Sequence, residues 1–145
     1  MHLVIQQREK EGIVILDLQG RLILGPEDVL LRERILSLLA HSVSNLILNL
    51  KEVSHIDSAA LGTLVFFTEK FRSAGGKLVL TDLGSHDVGA ANLLKLDTEL
   101  ETYKNEQDAV NGFFPDRAVP HYDILEVVED LAARHATEQE PENQK

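Results

Sequence analysis

Apolar and polar residues alternate along this chain in two different rhythms. Leu3-Val4-Ile5 and the longer run Ile13-Val14-Ile15-Leu16-Asp17-Leu18 flank a polar Lys10-Glu11-Gly12 turn. They predict strands over 3–8 and 12–20 joined as an antiparallel hairpin. The second run is almost continuously apolar, as a strand buried on both faces would be. Gly20 to Gly25 reads as an exit loop. Pro26, with Glu27 and Asp28 behind it, suits the first turn of a helix. Leu31, Ile35, Leu38 and Leu39 carry that helix to about His41.

Asn45-Leu46-Ile47-Leu48-Asn49-Leu50 predicts the next strand. A helix over about 58–74 follows, with Leu61, Leu64, Val65, Thr68 and Phe71 on one stripe and Gly75-Gly76 at its end. Lys77 to Asp82 is a further strand, so the middle of the chain is a right-handed βαβ unit with parallel strands. Beyond it the pattern predicts a short helix over 87–96, an edge strand over 99–103 and a small helix over 106–113. Pro115 and Pro120 mark a break. Tyr122, Ile124, Leu125, Val128 and Leu131 suggest an amphipathic helix over 121–135, and 137–145 is polar enough to be disordered. There is no internal repeat. The fold class is α/β in the mixed, α+β sense: a four- to five-stranded sheet with helices mainly on one face. The expected organisation is one domain over 1–113, an extension with its helix over 114–136, and a polar tail.

Composition narrows the function classes. In 145 residues there is no cysteine, which excludes disulfides and thiolate metal sites. The net charge of −10 argues against free nucleic acid as a partner, because phosphate binding needs clustered Lys and Arg. The stretch from Glu126 to Lys145 carries six acids against two bases, and the rest is still net acidic. No run approaches the roughly 18 apolar residues of a membrane span. No signal peptide is evident at Met1-His2-Leu3-Val4-Ile5. The expectation is a cytoplasmic protein with no membrane insertion.

The most specific chemistry lies at Val53-Ser54-His55-Ile56-Asp57-Ser58-Ala59-Ala60-Leu61-Gly62. A strand ends there and a helix begins, so the Ser58 hydroxyl sits at a helix N-terminus, where unpaired N–H groups welcome an anion. Taken alone, Asp57-Ser58 reads as a helix cap. Its setting gives it more meaning. Leu18-Gln19-Gly20-Arg21-Leu22, Leu46-Ile47-Leu48-Asn49-Leu50-Lys51-Glu52-Val53, Ile56-Asp57-Ser58-Ala59-Ala60-Leu61-Gly62 and Ala74-Gly75-Gly76-Lys77-Leu78-Val79-Leu80 follow one another in the order found in STAS domains. Over about residues 3–113 the chain resembles that family, and specifically its bacterial anti-sigma factor antagonists.

The resemblance implies that Ser58 is phosphorylated by a serine kinase that is also an anti-sigma factor. The unphosphorylated form would bind that partner and free a sigma factor for transcription in a stress response. It implies a partner surface of Asp57, Ser58, Ala59, Ala60, Leu61, Gly62 and Phe66 with Gly20 and Arg21. It implies no catalytic residue, metal or cofactor, so the chain would be a kinase substrate and not an enzyme. Ala59 and Ala60 depart from the serine-glycine common in the family, and Ile23 stands where an acidic or polar residue is frequent. Two other members of the family remain as alternatives: a scaffold in a multi-protein stress-signalling assembly, or a soluble STAS subunit of a membrane transporter. An orphan small-molecule or nucleotide module ranks below these.

The other candidates have plainer readings. Ser54 and Thr63 are expected to be structural, and His55 a turn or surface histidine without metal-ligand partners. Phe66, Phe67 and Phe71 cannot all face one way on a helix, so some belong to the core, with Phe66 the candidate for an exposed contact. Gly84-Ser85-His86-Asp87 is adjacency along the chain and not a triad. No phosphate loop, nucleophile elbow or zinc spacing is present. The 121–135 helix could serve a homodimer or cover the sheet edge.

Overall fold

A computed structural model describes residues 2–83, 100–120 and 125–133. Strands β1 (Val4–Lys10) and β2 (Ile13–Leu22) form the hairpin, and helix α1 (Pro26–Ala40) crosses to β3 (Asn45–Ile56). Helix α2 (Ser58–Ser73) leads to β4 (Lys77–Thr81), followed by β5 (Thr102–Tyr103) and a short helix α3 (Glu106–Asn111). The sheet order is β1-β2-β3-β4-β5, antiparallel between β1 and β2 and parallel elsewhere. The expected mixed sheet and βαβ unit are both present. Glu11 and Gly12 both have positive φ, the backbone a two-residue hairpin loop requires.

Alternation along the strands sorts the apolar side chains to two faces. Leu16, Leu18 and Leu22 of β2 and Leu46, Leu48 and Leu50 of β3 meet Leu31, Ile35 and Leu38 of α1 and Leu61, Leu64, Phe67 and Phe71 of α2 in the main core. On the opposite face Ile13, Ile15, Ile47 and Val79 pack with Ala109 and Val110 of α3. Phe113, Phe114 and Val119 close over this second cluster, so the chain continues to pack on the sheet past residue 113. Residues 125–133 are helical and add Val127 and Leu131 to the main core. Leu125, expected on the apolar face of that helix, is instead exposed: the buried stripe is Val127–Leu131, one turn apart.

Several strand boundaries differ from the sequence expectation, β1 among them, which runs on to Lys10. β2 runs through Arg21 and Leu22, where an exit loop was expected, because β3 runs on to Ile56 instead of ending at Leu50 and pairs with them. β5 is two residues long. The expected helix over 87–96 and the polar tail lie outside the described residues, as do the ends of the expected 121–135 helix.

The hairpin is tied to α3 by Arg8 and by Lys10, whose Nζ donates to Gln107 Oε1 at 3.3 Å. Arg8 donates from Nε to Asp17 Oδ2 at 2.6 Å and from Nη1 to Glu106 Oε2 at 3.0 Å. The Arg8 guanidinium holds both carboxyls below the usual carboxylate range. A depressed folded-state pKa stabilises the protein above the unfolded pKa, and that share is lost as pH falls through the folded value. These groups are partly exposed, so the pairs together contribute about 1–2 kcal/mol at neutral pH. Arg8→Leu should therefore lower the unfolding free energy by about that amount at pH 7. The gap between variant and parent should narrow only as the pH falls below the usual carboxylate range and the two native carboxyls take up protons, as read by urea denaturation at pH 7 and over a series of acid pH values.

Candidate functional site

The junction between β3 and α2 is built around Asp57. Its backbone N–H donates to Leu22 O at 3.2 Å. Its carboxylate accepts from Ala60 N at 2.8 Å and from Leu24 N at 2.9 Å. One oxygen caps α2 in the ordinary way, and the other staples the chain leaving β2 to the same point. The aspartate is therefore fully engaged, whereas the Ser58 hydroxyl is exposed and has no hydrogen-bond partner among the described residues. Asp57→Ala should remove the cap and release Leu24 N, while the backbone bond to Leu22 stays, costing about 2 kcal/mol. Asp57→Asn keeps an acceptor for only one of the two N–H groups and turns its NH2 toward the other, so it should recover only part of that loss in the same denaturation measurement.

The remaining expected site residues divide into two groups. Ala59 and Gly62 reach the surface on α2, and Phe66 is 53% exposed one turn further on. Ala60 and Leu61 do not belong to that surface. They are 0% and 1% exposed and face the main core, so neither side chain can meet a partner. The Ala60 methyl, where the family commonly has glycine, is likewise inside the protein and adds nothing to the outer face. Gly20 is also buried: its φ is +118°, and a Cβ there would lie 2.6 Å from the carbonyl oxygen of His2. It keeps the N-terminal strand close to β2 and is not a contact residue. Arg21 is half-buried opposite His55, with its Nε buried and unpaired among the described residues.

The hydroxyls expected to be structural are so. Ser54 Oγ donates to Gly20 O at 3.3 Å, and His55 Nδ1 lies 3.2 Å from that Oγ. Thr63 is buried and donates to Asp28 Oδ1 at 2.8 Å; Asp28 also accepts from Arg32 Nε at 2.9 Å. This buried carboxylate links the first turn of α1 to the second turn of α2. Among the described residues no group of three or more His, Asp or Glu could hold a metal ion. No helix among them is long and apolar enough to cross a membrane.

Next to Ser58 the two helices leave a groove of about 400 Å³, lined by Arg32 and Leu36 of α1 and Ala59, Gly62, Thr63, Phe66 and Phe67 of α2. Sequence reasoning missed its α1 wall. Leu36 belongs to that wall; Val29, seven residues earlier, does not line the groove, but both lie off the core stripe of α1 and are about half exposed. Two apolar residues at that spacing form a second, outward stripe, the signal available in the sequence.

A family model described as the STAS domain matches residues 4–109. The chain belongs to the STAS domain family. No curated protein is matched by its sequence. Among solved structures, this STAS chain is similar to the anti-sigma factor antagonist SpoIIAA in its unphosphorylated form, at 15% identity and TM-score 0.56, covering 74% of this chain and 94% of that one. It is similar to an anti-sigma factor antagonist from Mycobacterium paratuberculosis at 20% identity and TM-score 0.62, over 77% and 93% of the two chains. The NMR structure of the protein TM1081 aligns over 80% and 93% at 20% identity, with TM-score 0.63. At these identities the likeness is one of fold.

Proposed function

We propose that this STAS protein is a cytoplasmic anti-sigma factor antagonist of bacterial type, a binding module switched by phosphorylation of Ser58. The observation that carries this reading is the division of labour at the junction. Asp57 takes over capping and bracing, which leaves the neighbouring hydroxyl exposed, unbonded and in front of a helix N-terminus. Unmodified, Ser58 is small and neutral and can enter an interface with an anti-sigma factor that is also a serine kinase. That contact would release the sigma factor. The kinase would transfer the terminal phosphoryl group of ATP: the Ser58 Oγ–P bond forms, the bond to the leaving ADP breaks, and the hydroxyl proton passes to a base of the kinase. The added group brings about −1.5 to −2 charges at pH 7.

The reading is tested by intact and peptide mass spectrometry of the protein from its native host, with and without stress. It expects a phosphate on Ser58 whose occupancy changes with the condition. Zero occupancy under every condition, together with a partner that still binds Ser58→Asp, would overturn it in favour of a scaffold or transporter-subunit role.

A further inference from the structure

We propose that the groove between α1 and α2 receives an apolar side chain from a helix of the partner protein, seated over the bare backbone of Gly62. This deepens the Ser58 reading and rests on it for the identity of the interface. Gly62 is the fifth residue of α2, where glycine is among the poorest helix formers. Nothing among the described residues calls for it. Its φ lies outside the left-handed region, and a Cβ built there would meet no heavy atom within 4 Å. A glycine that weakens its helix and spares no internal clash leaves room for something from outside.

The walls of the groove say what that is. Leu36 and Phe66 stand half exposed beside the groove, and the buried ring of Phe67 lies deeper. The Phe66 ring is held edge-on to Phe67, with centroids 5.1 Å apart, and Lys70 Nζ lies 5.3 Å from its centroid. Of the two polar lining residues, Thr63 Oγ1 and Arg32 Nε both donate to Asp28. The rest of the lining is apolar or bare backbone, and a helix laid between two helices needs that apolar contact and close backbone approach. Ala59 and Gly62 also belong to the same end of α2 as Ser58, so an occupant of the groove is continuous with the surface around that hydroxyl.

The test places the photocrosslinker p-benzoyl-phenylalanine at position 36 of the full-length chain in its native host and maps the adducts by mass spectrometry. The expected adducts fall on apolar residues of a helical segment of another protein, and their yield drops about tenfold or more in Gly62→Leu, which fills the floor. In parallel, Gly62→Ala should raise the thermal midpoint by about 2–4 °C. That combination, a more stable fold with a weaker contact, is opposite to what a packing role for Gly62 would produce. Adducts to a second copy of this chain, adducts indifferent to Gly62→Leu, no adducts, or a lower midpoint in Gly62→Ala would each overturn the proposal. Gly62-dependent adducts that persist in Ser58→Asp would leave the groove assignment standing and remove the phosphorylation switch.

Discussion

Replacing Phe67 by alanine should cost about 3–5 kcal/mol of unfolding free energy, as large a loss as a single site in α2 is expected to give. The ring is 1% exposed and lies in the main core beside Leu64 and Phe71. Removing it loses the transfer free energy of a buried aromatic and leaves a void that the sheet and the braced α1–α2 pair cannot collapse to fill. It also removes an edge-to-face contact with Phe66, worth about 0.5–1.5 kcal/mol in such pairs. Phe66→Ala provides the contrast: that ring is largely in water, so the loss should stay near 1 kcal/mol. Urea titration of both variants reads the difference. Equal losses would mean that the two neighbouring rings are not divided between core and surface.

Ser58→Asp should act in the opposite sense on fold and on binding. At the first position of α2 a carboxylate faces the positive end of the helix, so stability should hold or rise by about 0.3–1 kcal/mol. A partner packed on that surface would instead have to bury a charge beside Asp57, with a penalty of about 3–5 kcal/mol. Set against a micromolar complex of about 8 kcal/mol, that loss leaves a Kd of about 0.1–4 mM. Calorimetric titration against the purified partner, alongside denaturation of the free protein, separates the two effects. A variant that binds as the parent does would show that the hydroxyl is a bystander.

The parts of the fold that could be read from sequence are those in which one period persists. The β2 run from Ile13 to Leu18 and the α2 stripe from Leu61 to Phe71 each repeat a single spacing, and each became the element expected. The second half of β3 was not legible for a definite reason. Its pairing with β2 steps from Asn49 to Glu52 while β2 advances from Asp17 to Gln19, and from Val53 to His55 while β2 advances from Gly20 to Arg21. Each step inserts a bulge residue. As a result Leu50, Val53 and Ile56 all point into the main core at a spacing of three, which imitates neither a strand nor a loop.

The site was legible to the same extent. Asp57-Ser58 announced a helix start, and the structure places it at one. That Ala60 and Leu61 face inward follows from helical phase once the start is fixed, but a motif read as a string assigns its members alike to one surface. The brace from Asp57 to Leu24 joins residues 33 apart in sequence, and no local pattern could supply it.

The paired bulges of β3 also constrain how this segment can change in length. Each bulge absorbs one extra residue of β3 against β2, so the residues beyond it keep their pairing and their facing. Deleting one residue at a bulge would restore a regular ladder there and leave Ile56 and the start of α2 in place. Deleting one from a regularly paired stretch would slip the register and turn core positions toward solvent. Length variation just before the serine is thus confined to the two bulges.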